Sequence, residues 1–166
     1  MIPFLRTLCL LAFASLALPL SALERPEAPV VLTVSGEIAV ENALGLAEFD
    51  IGMLRDLDWR EIETFTPFTQ GMQRFAGPTL ASLLDRLGIT GGTLHALAIN
   101  DYAVDIPVSD AAEFDVLIAV LHNGPPMRIR DRGPLWMIYP EKVQPKGENL
   151  NSAKMIWQLN RIDIRP

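Results

Sequence analysis

The sequence predicts an α+β domain with mixed β-sheets and short helices, on three observations. Short β segments dominate, two or three helices are interspersed, and strands and helices do not alternate regularly. A doubly wound parallel sheet, which repeats the strand–helix pair, is thereby disfavoured.

The elements follow in order. ERPEAP at 24–29 carries two prolines and no apolar periodicity, so it reads as a short exposed leader. VLTVSG at 31–36 is β-branched and stops at a glycine, as a strand does. Phe49, Met53, Leu54 and Leu57 share a helical spacing, with Asp50 placed to cap. WREIETFTPF at 59–68 alternates imperfectly and ends at Pro67, and reads as a strand. PTLASLLDRLG runs from Pro78 to Gly88 with Leu80, Leu83, Leu84 and Leu87 on one face, a helix with start and stop signals. TLHALAIND and YAVDIPV read as a hairpin turning at Asn100 and Asp101. FDVLIAVLHNG at 114–124 reads as one buried strand, and GPLWMIYP at 133–140 as another. SAKMIWQL at 152–159 has room for about two helical turns, with Ser152 as a cap, before RIDI resumes as a strand.

The first segment stands apart. Arg6 precedes 17 uncharged residues, TLCLLAFASLALPLSAL, with Pro19 and the small pair Ser21 and Ala22 near their end. This is the pattern of a secretory signal peptide, cleaved near Ala22, and it is short for a spanning helix. Cys9 precedes most of the apolar run, the wrong order for a lipid-attached cysteine. Residues 23–166 then form a single domain without a cysteine, so they have no disulfide and no thiolate nucleophile or soft metal ligand. With only His95 and His122 as imidazoles, a four-ligand structural zinc site has too few donors.

Charge excludes one more class. The 166 residues carry net charge −6, and residues 23–127 alone hold 5 basic against 16 acidic side chains. Nucleic acid is therefore an unfavourable partner. Residues 128–154 are locally cationic through Arg128, Arg130, Arg132, Lys142, Lys146 and Lys154, either a solvated face or a cleft for an anion. No GxGxxG, P-loop, GxSxG or HExxH occurs, so no catalytic residue is assigned.

From Phe75 onward the landmarks fall in a familiar order. FAGPTLASLLDRLGI, the NDY turn at 100–102 with IPV at 106–108, LIAVLHNGPPM, RDRGPLWMIYP, and NSAKMIWQL before RIDI are those landmarks. In this order they resemble the oxidoreductase molybdopterin-binding domain, the sulfite-oxidase fold, over roughly residues 31–166. The resemblance implies a pterin pocket. It also implies a molybdenum held by a cysteine before the first long helix, where ETFTPFTQGMQRF offers only Thr64, Thr66 and Thr69. The strand after GxP carries Trp136 where the family usually has arginine. In lacking the cysteine the chain resembles a subgroup of periplasmic pterin-binding proteins that signal to membrane-bound cyclic-di-GMP enzymes or histidine kinases. The expectation is a periplasmic, non-catalytic binder of a pterin without molybdenum, acting on the periplasmic domain of a membrane signalling protein. A molybdopterin-dependent oxidoreductase subunit is the alternative, and a ligand-free interaction domain a third.

A pterin is a flat bicycle with an aminopyrimidinone edge, which wants ring or sulfur faces and paired polar groups. Trp136, Tyr139, Tyr102, Met155 and Trp157 can supply faces; Asn100, Asp101, Arg132, Ser152 and Lys154 can meet the polar edge. Each has a plainer account: a turn for Asn100 and Asp101, core packing for the tryptophans and Met155, solvated surface for Lys154. His95 and His122 read as satisfied structural histidines.

Overall fold

The computed structural model describes residues 22–144, 146–147 and 150–166. The expected signal peptide, apart from Ala22, lies outside them. Among the described residues there are ten strands, three α-helices and two 3-10 turns in two sheets. No described helix is long and apolar enough to cross a membrane.

The chain opens with β1 (Leu32–Gly36), β2 (Ala47–Phe49) and α1 (Ile51–Arg55). The leader is mostly exposed, yet it is held. The Asp50 carboxylate accepts from Glu27 and Ala28 N–H at 2.8 and 3.0 Å as well as capping α1 at Met53 N, 2.9 Å. An antiparallel hairpin follows, β3 (Trp59–Thr64) and β4 (Gln73–Pro78), and then α2 (Leu80–Leu87). Pro78 closes β4 instead of opening the helix. Thr79 is the N-cap, its Oγ1 accepting from Ser82 N, and Gly88 ends the helix at φ 70°. Leu80, Leu83, Leu84 and Leu87 are all buried, as their spacing predicts.

The hairpin β5 (Thr93–Ala98) and β6 (Ala103–Pro107) pairs in register and turns through Asn100 and Asp101, the latter at φ 64°. After α3 (Asp110–Glu113) the apolar run divides into β7 (Leu117–Ala119) and β8 (Leu121–His122), which belong to different sheets. One uninterrupted strand was the expectation; the chain instead changes partners at Val120. Gly77 of β4 permits the crossing, because a Cβ there would lie 2.0 Å from Ile118 O. Last come β9 (Leu135–Ile138), a single 3-10 turn at Ser152–Lys154, and β10 (Trp157–Arg165). The two-turn helix expected at 152–159 is therefore absent. Trp157 already pairs with Trp136 on β9, and Gln158 adopts φ 56°, which no helix accepts.

β10 organises the larger sheet, whose path is β2-β1-β10-β5-β6 with β9 and β7 attached. Its later residues lie between parallel β1 and antiparallel β5, while its first residues pair with β9. The smaller sheet is β3-β4-β8. The main core joins α2, α1 and the large sheet; a second cluster of Phe75, Leu117, Ala119, Met127, Trp136 and Ile138 joins the two sheets. Trp136 in that second cluster stands directly behind the start of β10.

Candidate functional site

Three segments meet where β10 begins: the loop after β3, the β5–β6 turn, and the stretch leading from the 3-10 turn into β10. They enclose a cavity of about 300 Å³ lined by Phe68, Asn100, Tyr102, Ser152, Ala153, Met155, Ile156 and Trp157. This volume is at the low end of the roughly 300–1,000 Å³ usual for small-molecule sites, so it suits a small ring system. A wider cleft of about 520 Å³ beside α2 and α3 is lined by residues such as Leu84, Ile89 and Val108 and has no aromatic ring.

The walls are fixed by bonds between the segments. Phe68 meets Trp157 edge to face, ring centroids 5.1 Å apart. Tyr102 donates its hydroxyl to Ala153 O at 3.1 Å, tying the β5–β6 turn to the 3-10 turn. Its own N–H donates to Asn100 Oδ1 at 3.2 Å. Trp136 donates Nε1–H to Met155 O at 3.0 Å, and Met137 N donates to Ile156 O, so β9 anchors the next stretch of wall. The Arg132 guanidinium lies 5.0 Å from the Trp136 ring centre and 5.7 Å from that of Trp157, and it donates to Phe68 O at 3.1 Å.

A family match then bears on this arrangement. The description "Oxidoreductase molybdopterin binding domain" matches residues 57–162. The chain belongs to this family. The matched residues include Phe68 and run through Trp157, so every lining residue of the cavity lies within them. Among solved structures, the molybdopterin-binding domain is similar to the sulfane dehydrogenase SoxCD from Paracoccus pantotrophus. The TM-score is 0.59 at 17% identity, covering 80% of this chain and 37% of that one. At that identity the likeness shows the fold, which is of the sulfite-oxidase type, and the chain spans little more than a third of that structure's length. No curated protein matches the chain.

Within this molybdopterin-binding domain the residues singled out in the sequence fall into three groups. Asn100, Tyr102, Ser152, Met155 and Trp157 line the cavity. Arg132 borders it through the Trp157 ring, with its guanidinium engaged inside the fold. Trp136, Tyr139, Asp101 and Lys154 lie outside the lining. Trp136 and Tyr139 are fully enclosed by the core, the first packed between Phe75 and Trp157. Asp101 points to solvent with its side chain 86% exposed, 3.6 Å from Arg161. Lys154, read as a polar contact or as open surface, is neither: its Nζ bonds Asp110 Oδ2 at 2.7 Å. Tyr139 donates its hydroxyl to the same oxygen, also at 2.7 Å, and burial, then the Asp110 carboxylate, pushes that phenol far above its ordinary range.

Phe68, Ala153 and Ile156 line the cavity without having been singled out. Phe68 follows Pro67 in a stretch without periodicity, so only its place in the segment where the family carries cysteine could have flagged it. Both histidines have partners: His95 Nδ1 donates to Asp105 Oδ1 at 2.6 Å, and His122 stacks on Phe75 at 4.7 Å with Nε2 3.0 Å from Gln73 Oε1.

The residues present fit the two halves of the family's cofactor differently. Ring faces from Phe68, Trp157 and Tyr102, a thioether from Met155, and polar groups from Asn100 and Ser152 fit a flat pterin. They do not fit a thiolate-held molybdenum. The family's cysteine segment offers hydroxyls, and these are bonded within the fold. Thr64 Oγ1 accepts from Glu141 N at 2.6 Å and lies 3.0 Å from Glu141 O, while Thr66 and Thr69 bond each other at 2.9 Å. Among the described residues no group of three His, Cys, Asp or Glu could hold a metal ion.

Proposed function

We propose that this molybdopterin-binding domain is a periplasmic, non-catalytic pterin receptor that binds its ligand without molybdenum and relays the liganded state to a membrane-bound signalling protein. The observation that carries the reading is the pairing of an aromatic, sulfur-edged cavity of about 300 Å³ with a cysteine segment made of bonded threonines. Stacking against Trp157 and Phe68 supplies the affinity, and Asn100 and Ser152 meet the polar edge. Export rests on the charge-then-apolar pattern of residues 6–23. Partner docking rests on the acidic body and the cationic stretch at 128–154, which give the surface an orientation. Ligand binding alters docking to the extent that the partner distinguishes the two forms.

A second reading has support of its own. The family match over residues 57–162 and the likeness to a sulfane dehydrogenase both favour an oxidoreductase subunit that carries molybdopterin. The absence of a thiolate after Cys9 tips the balance to the receptor. Pull-down from periplasm and membranes, with and without added pterin, tests the choice. Pterin-dependent recovery of a membrane protein is expected. Recovery of none, with measurable redox turnover of a small oxide, supports the enzyme instead.

A further inference from the structure

We propose that Asp110 is a specificity-determining residue of the pocket: it holds the Lys154 ammonium away from the cavity, so that the site takes an uncharged, phosphate-free heterocycle. The inference rests on the pterin reading of the cavity and names the ligand class within it. Lys154 stands between Ala153 and Met155, both of which line the cavity, but is not itself among the lining residues. The four-carbon stem carries Nζ to Asp110 Oδ2 at 2.7 Å, beside the Tyr139 ring at 5.8 Å.

Asp110 is 4% exposed and sits on α3, and the same oxygen also accepts from the Tyr139 hydroxyl. A buried carboxylate with two donors on one oxygen holds its cation firmly, because separating them would leave an uncompensated buried charge. The neighbouring cation is committed as well: Arg132 spans the faces of Trp136 and Trp157 and donates to Phe68 O. Among the described residues the cavity lining thus has no charged side chain. A phosphate placed there would lose water without gaining a counter-charge, whereas a neutral bicycle loses little. Asp110 does not touch the cavity; it acts through Lys154.

Calorimetric titration of the processed protein with 6-hydroxymethylpterin and with its phosphate ester tests this. Wild type is expected to prefer the neutral compound by about tenfold or more. Asp110→Asn keeps the volume and an acceptor for Tyr139 but releases the ammonium. The preference should then shrink to about threefold or less, with the neutral affinity unchanged. Adding Lys154→Met to that variant should restore the preference, which a merely structural role for Asp110 would not do. Lys154→Met alone should leave the preference as in wild type, and it decides the matter if Asp110→Asn does not fold. A folded Asp110→Asn with an unchanged preference overturns the proposal, as does a Lys154→Met protein that selectively loses the phosphate ester. If wild type binds neither compound, the pterin reading fails. Pyrophosphate then decides the role of Asp110 separately: binding by Asp110→Asn and not by wild type supports it, and binding by neither refutes it.

Discussion

The rings of Phe68 and Trp157 meet edge to face at 5.1 Å and 85°, joining the loop after β3 to the first residue of β10 across 89 positions of sequence. Trp157 is 36% exposed and both rings line the cavity, so the pair forms a wall whose outer surface is open to a ligand.

Phe68→Ala removes one ring of that wall and the support of the other. Pterin affinity is expected to fall by about tenfold, near 1.4 kcal/mol, while Phe68→Leu loses less. Asp101→Asn is the contrasting control, since the Asp101 side chain is in solvent; its affinity should remain within about twofold of wild type. Calorimetry on the three proteins reads both expectations.

Asp50 ties the leader to α1. The Met53 N–H holds its carboxyl below the ordinary value near 3.8, burial opposes this, and the N–H groups of Ala28 and Glu27 add to the lowering. A carboxylate with a lowered folded pKa stabilises the fold above its unfolded value and loses that contribution as pH falls through the folded value. Asp50→Ala should therefore cost about 1–2 kcal/mol at neutral pH, and the difference from wild type should shrink below about pH 4. Urea unfolding at several pH values measures it.

His122 gives the opposite titration sense. Burial, and then the Arg132 charge, hold its imidazole below the usual 6.5. The folded state thus favours the neutral ring, so this contribution is complete above about pH 6.5 and is lost as pH falls below it. His122→Phe keeps a ring against Phe75 and removes the titration. Its thermal midpoint should depend less on pH than that of wild type between about pH 7 and 5. Equal pH dependence in the two proteins would contradict the assignment.

How much of this could be read in the sequence differs from element to element. Helix α2 was legible because its leucine spacing and the Gly88 stop agree, although its start was read from Pro78 where the structure caps it with Thr79. The 114–124 run was legible as buried strand but not as two strands, because apolar residues on both sides of Val120 give no mark where the chain changes sheets. The 152–159 segment misled for a different reason: Lys, Met, Gln and Leu favour helix, while pairing of Trp157 with Trp136 decides for strand. The order of family motifs brought together Asn100, Tyr102, Ser152, Met155 and Trp157, which line one cavity. Phe68 was not legible, since a loop residue after proline carries no periodic signal. Lys154 shows the limit most clearly. A lysine that is solvated, ligand-bound or ion-paired is the same letter, and its partner Asp110 is 44 residues away.

The most direct test of the central claim is paired mass spectrometry and elemental analysis of the protein purified from its native cells. A released phosphate-free pterin with no stoichiometric molybdenum is the result expected. Stoichiometric molybdenum accompanied by molybdopterin would contradict the receptor and establish the domain as part of an oxidoreductase.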